Sequence, residues 1–105
     1  MYILENNKEV LMQITVKSRN IELTNALNDF VHDKFSKLER QAEGIKEILV
    51  TLSVEKLEQK AEAVVEVVGD TYHTEAVGED LYAAVDVLLD KVVRLIVKHK
   101  EKQQK

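Results

Sequence analysis

The sequence predicts an α+β domain with the element order βαβββα, in which two helices pack on one face of a mainly antiparallel four-stranded sheet. Four stretches alternate apolar and polar residues, and two longer ones carry apolar residues at helical spacing. No linker rich in Gly, Pro or Ser and no internal repeat divides the 105 residues. We therefore expect one domain over residues 12–105, preceded by an N-terminal extension of residues 1–11.

The first strand and the first helix follow from residues 12 to 40. Residues 12 to 19 alternate, with Ile14, Val16 and Ser18 on one side, as in a half-buried strand. Thr24 is a suitable N-cap for a helix that runs to about residue 40, and Gly44 closes that segment. The apolar residues that share one face of this helix are Leu27, Phe30, Val31, Phe35 and Leu38.

Three strands and a long helix account for the rest. Strands are predicted at residues 47–55, 61–68 and 71–77, separated by a polar turn at 56–60 and a two-residue turn at Gly69-Asp70. The last helix runs from about residue 79 to 102, with Glu79 and Asp80 in its first turn. The sheet face away from the helices should be acidic. We place on it Glu47, Thr51, Ser53, Glu55, Glu62, Glu66, His73 and Glu75.

Charge is segregated along the chain. The formal net charge is -4, yet residues 1–90 hold 9 basic and 18 acidic side chains, whereas residues 91–105 hold 6 basic and 1 acidic. A local basic field attracts a polyanion even when the total charge is negative, because screening limits interactions to about 8 Å. The alternative is that these lysines only complement the dipole of the last helix.

The basic residues of the last helix form a stripe. Lys91, Arg94, Lys98 and Lys102 fall within an arc of roughly 80°, beside the apolar arc that contains Leu88. Such a ridge suits a row of phosphates, although a solvated polar face has the same pattern. On the first helix, Lys34 and Lys37 either extend over the core into water or line a groove facing this stripe.

The sequence gives little support for catalysis, a metal or a cofactor. His32, His73 and His99 are scattered over different elements, and the three glycines are too far apart for a phosphate-binding or dinucleotide-binding motif. There is no Cys and no apolar stretch of the ~20 residues that a bilayer requires. We expect a cytoplasmic protein without a signal peptide, a membrane segment or a small-molecule substrate.

Four stretches resemble a known family. They are MQITVKSRNIELTNAL, FVHDKFSKLER, ILVTLSVEK and YHTEAVGEDLYAAVDVLLDKVVRLIVKHK, and the last is the most specific. Over about 90 of the 105 residues the chain resembles the short ribosome hibernation factors, which include hibernation-promoting factor and ribosome-associated inhibitor A. Older descriptions call them sigma-54 modulation proteins.

The resemblance implies a fold similar to double-stranded-RNA-binding domains and a role in stress or stationary phase. Such proteins bind the small ribosomal subunit, its rRNA and its proteins, in the channel for messenger and transfer RNA, and block translation. The family's RNA-binding surface would correspond here to Lys34, Lys37, Lys91, Arg94, Lys98, Lys100 and Lys102.

The chain's length adds a further expectation. Because it ends soon after the last helix, we expect neither the C-terminal domain of long members nor the tail of the inhibitor A type. By length it resembles hibernation-promoting factor, which forms paired ribosomes with a separate modulation factor. The alternative function is a protein-interaction module for a sigma-54 transcription factor, supported by valines outside the buried arc of the last helix. An enzyme is a weaker third option.

Overall fold

The computed structural model describes residues 12–40 and 44–103, so the predicted extension at residues 1–11 lies outside the described residues. The elements are β1 (Gln13–Arg19), α1 (Asn25–Ser36), β2 (Ile45–Glu55), β3 (Glu58–Val67), β4 (Asp70–Gly78) and α2 (Leu81–Gln103). A 3₁₀ turn at Lys37–Arg40 follows α1. This order confirms the predicted α+β fold.

The sheet has the strand order β1-β2-β3-β4. β1 is parallel to β2, and the other two pairs are antiparallel. The parallel pair is possible because α1 supplies the long crossover that such a connection needs. β1 and β4 are therefore the two edge strands, and α2 packs against β4 and β3 while α1 lies against β1 and α2.

Register places most apolar residues of the four strands on the face beneath the helices, whereas Leu49, Val64 and Val77 lie on the outer face. One row across the sheet joins Ile14, Ile48, Val65 and Tyr72. Both helices contribute to the same core, and each large aliphatic side chain buried there contributes roughly 1.5–3 kcal/mol. The fully buried large side chains are Phe35, Ile48, Leu52, Leu88, Val31, Val50, Val65, Val85 and Val92.

The ends of α1 and α2 differ from the prediction in one respect each. Thr24 caps α1 as expected, with its Oγ1 accepting a hydrogen bond from Leu27 N–H at 3.1 Å, but the α-helix ends at Ser36 rather than near residue 40. Glu79 and Asp80 precede α2 instead of lying in its first turn. Asp80 acts as the cap, because its Oδ1 accepts from Ala83 N–H at 2.8 Å.

The turn between β2 and β3 is shorter than predicted. It contains Lys56 and Leu57 alone, and β3 begins at Glu58 rather than residue 61. Lys56 adopts a φ of 58°, the left-handed conformation that closes a two-residue hairpin. The polar residues 58–60 then continue the ladder, because an exposed strand end accepts polar side chains.

Gly78 brings the start of α2 close to the end of β4. A Cβ atom at this position would lie 2.6 Å from the backbone nitrogen of Ala84. No side chain fits at that distance without a shift of the backbone, so glycine permits the close packing of α2 on the edge strand. Together with the buried side chains of α2, this contact sets the angular position of the helix around its own axis, and thus of its cations.

Candidate nucleic-acid interface

The basic stripe of α2 lies along the open edge of the sheet. The buried side chains Val85, Leu88, Val92 and Ile96 turn one side of α2 toward the core. Lys91, Arg94, Lys98 and Lys102 follow at spacings of three, four and four residues and form what we call the cationic flank. All four residues are exposed, and the stripe is about 16 Å long at 1.5 Å per residue.

Lys91 joins the cationic flank to β4. Its Nζ donates a hydrogen bond to the backbone carbonyl of Glu75 at 2.8 Å. Backbone groups on the outer side of an edge strand have no strand partner, so a lysine that caps one of them also discourages pairing with another chain. The contact shows that the flank faces β4 and not α1.

Arg94 forms a weak pair within its own helix. Its Nη2 lies 2.8 Å from Oδ2 of Asp90, and both side chains are more than half exposed. Exposed pairs at this spacing contribute roughly 0.3–0.5 kcal/mol. A phosphate that approaches the flank can therefore displace Asp90 at small cost.

Lys98 and Lys102 have neither an ion-pair nor a hydrogen-bond partner among the residues whose side chains the structure describes. They line a groove of about 570 Å³ together with Tyr72, Leu95 and Glu101. These two ammonium groups are the cations of the flank that are available to an anion without breaking a contact.

Tyr72 is held at this groove by His99. The Tyr72 hydroxyl lies 2.8 Å from His99 Nδ1, and the two rings meet edge-on at a centroid distance of 5.6 Å. Burial, and then the charge and hydrogen bonding of Asp70, raise the pKa of the Tyr72 hydroxyl above its ordinary value of 10.0. The hydroxyl is protonated at neutral pH, and the tautomer of His99 determines which of the two groups donates the hydrogen bond.

Lys34 lies on the other side of α2, between the helices. Its Nζ is 3.3 Å from Oδ1 of Asp86 and 5.3 Å from the centre of the Phe30 ring. The Phe30 ring meets Tyr82 at 4.9 Å. We call this side of α2, which carries Tyr82 and Asp86, the interhelical flank.

The prediction that Lys34 and Lys37 line a groove facing the basic stripe is wrong for Lys34. Asp86, its partner, lies roughly 120° to 140° around the axis of α2 from Lys91 and Lys98. The two sets of cations therefore point to different sides of α2. The physical reason is that the close approach at Gly78 and the hydrogen bond from Lys91 hold the basic stripe against β4. The acidic and aromatic residues of α2 then face α1.

The other two predicted cations lie away from the cationic flank as well. Lys37 is exposed at the C-cap of α1, and no described side chain pairs with it. Lys100 is exposed about half a turn around the axis of α2 from Lys91. The structure thus brings together four of the seven predicted site residues and leaves Lys34, Lys37 and Lys100 outside that group.

The outer face of the sheet carries the predicted carboxylates, but it also carries cations. Register aligns Glu47 with Glu66, and Glu62 with both Thr51 and Glu75. Arg19 lies 2.6 Å from Glu62, His73 lies 3.8 Å from the same carboxylate, and Lys60 lies 3.9 Å from Glu75. The outer face is therefore acidic, and Arg19 and Lys60 neutralise part of its negative charge.

Ser53 and Glu62 are more buried than an open sheet face suggests. Ser53 is 3% exposed, and the Glu62 side chain is 18% exposed. Ser53 stands in register between Arg19 and Lys60, and long side chains at such cross-strand positions can cover a small one. Cross-strand ion pairs thus cover part of this surface, while Glu47 and Glu66 have no described ion-pair partner.

The histidines do not come together. His73 lies on the outer face near Glu62, His99 contacts Tyr72, and His32 lies on α1. Within residues 12–40 and 44–103, no group of three His, Asp or Glu side chains is arranged to hold a metal ion. No described helix is long and apolar enough to cross a membrane.

Two contacts of the site were missed from the sequence. The Tyr72–His99 pair joins residues 27 apart in the chain, and the Lys91 bond to Glu75 uses a backbone carbonyl. The sequence carries no signal for the second contact. For the Tyr72–His99 pair, the sequence shows only that a tyrosine lies on the inner side of an edge strand. Ordinary packing explains a tyrosine at that position equally well.

The chain matches a known protein family. The family model described as "Sigma 54 modulation protein / S30EA ribosomal protein" matches residues 14–104. A "Ribosome hibernation promoting factor" of Klebsiella oxytoca is 45% identical over 91 residues, which cover 87% of this chain and 96% of that protein. The protein of the same name from Escherichia coli K12 is 43% identical over 91 residues, with the same coverage of 87% and 96%.

Solved structures have the same fold. A ribosomal subunit interface protein from Coxiella burnetii superposes with a TM-score of 0.79 at 24% identity, covering 86% of this chain and 99% of that chain. The N-terminal domain of Thermus thermophilus Protein Y gives a TM-score of 0.74 at 30% identity, covering 81% and 94%.

Proposed function

Because the chain belongs to the sigma 54 modulation protein / S30EA ribosomal protein family, we propose that it is a ribosome hibernation factor. It binds the small ribosomal subunit in the channel for messenger and transfer RNA and inhibits translation under stress or in stationary phase. The protein is then located in the cytoplasm. The names of its relatives support the ribosome as the partner. The observation that carries the proposal is the cationic flank, with Lys98 and Lys102 open to an anion.

The proposed mechanism is occupation of the channel without chemistry. Phosphates of rRNA contact Lys91, Arg94, Lys98 and Lys102, and Arg94 exchanges Asp90 for a phosphate. Lys34, Lys37 and Lys100 belong to the proposed RNA-binding set and contact other segments of the rRNA, because they project to other sides of the helical layer. Lys34 contributes least of the three, since Asp86 pairs with it. Binding is then a matter of charge and shape, and no cofactor is needed.

The outer sheet face determines how the protein is oriented in this proposal. Glu47 and Glu66, which have no ion-pair partner among the described residues, repel phosphates, so the sheet turns toward ribosomal proteins or solvent. The helical layer then meets the rRNA. Together with a separate modulation factor, the bound protein promotes inactive ribosome dimers.

Cosedimentation with ribosomes over a salt series tests the proposal. The wild type should pellet at low salt and lose roughly a thousandfold in affinity between 50 and 200 mM salt if about six cations meet phosphates. The triple variant Lys91→Glu, Arg94→Glu, Lys98→Glu should remain in the supernatant. Equal pelleting of both proteins would refute binding through the cationic flank.

A matched triple variant controls for net charge. Lys17, Lys46 and Lys56 are exposed on β1, β2 and the β2–β3 turn. Changing all three to Glu alters the net charge by the same amount but spares the cationic flank. This protein should pellet almost as the wild type does, and circular dichroism of both triple variants should show an unaltered fold.

The family's description also names sigma 54 modulation, and one observation favours a protein-interaction module. Val87 and Val97 of α2 are 43% and 47% exposed. A helix face that contacts only water does not need such apolar side chains. A double change to Ser should weaken binding to a purified sigma-54 factor under this alternative. It should leave ribosome pelleting unchanged under the main proposal.

A further inference from the structure

The groove beside the C-terminal part of α2 has the composition of a nucleotide site. Its walls are Tyr72 from β4 and Leu95, Lys98, Glu101 and Lys102 from α2, and its volume is about 570 Å³. An aromatic ring and a leucine thus lie beside two cations. This combination of an apolar surface and positive charge suits a ligand that has both a flat base and a phosphate.

Tyr72 is oriented so that its ring can serve as a stacking surface. His99 contacts it through the hydroxyl at 2.8 Å, with the two ring planes inclined by 74°. His99 meets the Tyr72 ring at its hydroxyl end, while part of the ring packs against the hydrophobic core and part lines the groove. The hydrogen bond also fixes the ring, so a base that stacks on it need not first order the side chain.

The two lysines supply charge at the opening of this groove. Lys98 and Lys102 are one helical turn apart, and neither has a partner among the described side chains. A phosphate that binds there displaces no existing ion pair. Binding at the groove is therefore favoured over binding at Arg94 or Lys34, each of which must first give up a carboxylate.

We propose that this groove binds one unpaired nucleotide of an RNA strand, with its base against Tyr72 and Leu95 and its phosphate at Lys98 and Lys102. Lys91 and Arg94 continue the same flank away from the groove, so the neighbouring phosphates of a strand also meet cations. That continuity favours a polynucleotide over a free nucleotide. The inference rests on the proposed function and adds a preference for single-stranded over duplex RNA.

Glu101 gives the groove a base preference. Its carboxylate repels phosphate and can accept hydrogen bonds from amino groups on a base edge. Guanine, adenine and cytosine carry such a group, and uracil does not. The groove should therefore bind oligo(C) more tightly than oligo(U), and the change Glu101→Gln should reduce that difference.

The first experiment compares single-stranded and duplex RNA by fluorescence anisotropy at fixed salt. The change Tyr72→Ile removes the ring and should weaken single-stranded binding by roughly 5- to 150-fold, with duplex binding nearly unchanged. Tyr72→Phe keeps the ring and should retain most of the affinity. Tyr82→Leu, on the interhelical flank, is the matched control and should have no effect on either RNA.

An equal loss for both RNAs with Tyr72→Ile, or no loss for either, would overturn the proposal. Thermal unfolding followed by circular dichroism shows whether Tyr72→Ile is folded at the assay temperature. If it is not, the wild type itself provides the test through amide chemical shifts. Titration with cytidine monophosphate and with a short oligo(C) should shift the signals of Tyr72, Leu95 and Lys98, and inorganic phosphate alone should not shift Tyr72.

The same titration separates the two sources of the ligand. Tighter binding of the oligonucleotide than of the mononucleotide supports an RNA strand, whereas equal binding indicates a free-nucleotide site and rejects the RNA assignment. Ribosome cosedimentation keeps this outcome apart from the proposed function. If the flank triple variant fails to pellet while Tyr72 shows no response to RNA, the stacking site is rejected and the ribosome assignment remains.

Discussion

Lysine ammonium groups lie at both flanks of α2, but their neighbours differ. On the interhelical flank, Asp86 and the Phe30 ring surround the ammonium group of Lys34. On the cationic flank, Lys98 and Lys102 have no described partner, and Lys91 is bound to a backbone carbonyl that carries no net charge. The comparison shows that the number of lysines is a poor measure of a basic surface, because a nearby carboxylate cancels the field of each one it pairs with.

Removing charge from the cationic flank should have the largest effect. The double change Lys98→Ala, Lys102→Ala should lower the slope of log affinity against log salt by about two, since each phosphate contact contributes roughly one. Affinity for ribosomes at 100 mM salt should fall by at least tenfold. Lys34→Ala should have a much smaller effect on the same slope, and an equal effect would remove the distinction between the flanks.

A substitution at Gly78 tests whether the close packing of α2 on β4 determines which residues lie on each flank. Gly78→Ala places a Cβ atom 2.6 Å from the Ala84 nitrogen, and overpacking of this kind costs about 1–3 kcal/mol. The melting temperature should fall by several degrees. Ala83→Gly removes the side chain that would also crowd Cβ at 3.1 Å. The double variant Gly78→Ala, Ala83→Gly should therefore keep most of the fall in melting temperature, because the closest clash of the new Cβ is with a backbone atom and not with the Ala83 side chain.

Asp86 tests the neutralisation of Lys34 directly. Asp86→Asn removes the carboxylate and releases the Lys34 ammonium group, so ribosome binding should strengthen by about two- to fivefold. The stability change should stay below about 1 kcal/mol, because this is a partly exposed pair. Asp70→Asn at the start of β4 is a control for lost negative charge. An increase of the same size there would indicate a general effect of net charge.

The smallest effect concerns the Tyr72 hydroxyl, which lies beside the cationic flank. Burial and Asp70 raise the pKa of Tyr72 in the folded protein, so the neutral phenol is favoured by folding. That contribution is fully present below the unfolded pKa of about 10 and is lost as the pH rises through the folded pKa. Urea unfolding at pH 8 and above pH 10 should show a larger loss for the wild type than for Tyr72→Phe. Identical losses would show that titration of the Tyr72 hydroxyl is not linked to folding.

Much of the fold could be read from the sequence because local patterns specify it. Alternation identified all four strands, helical spacing identified both helices, and Thr24 capped α1 as predicted. The errors lie at element ends, where several backbone states are close in energy. Lys56 closes its turn with a left-handed φ, and Asp80 caps α2 from outside the helix instead of lying in its first turn.

The candidate site was predicted less completely. Helical spacing placed Lys91, Arg94, Lys98 and Lys102 on one stripe, since 100° per residue suffices for residues on a single helix. It could not show which side of α2 faces α1, and so Lys34 was expected in a groove with that stripe. The acidic outer face was expected from alternation, but its ion pairs with Arg19 and Lys60 depend on strand order.

The sequence alone determined which residues share a strand face or a helix side, because these relations follow from backbone periodicity within one element. It also carried the family motifs, which extend over most of the chain. Only the tertiary structure decided which side chains from different elements meet. Asp86 opposite Lys34, Glu75 beneath Lys91 and His99 against Tyr72 depend on how α2 is rotated on the sheet, and that rotation results from packing in the whole core.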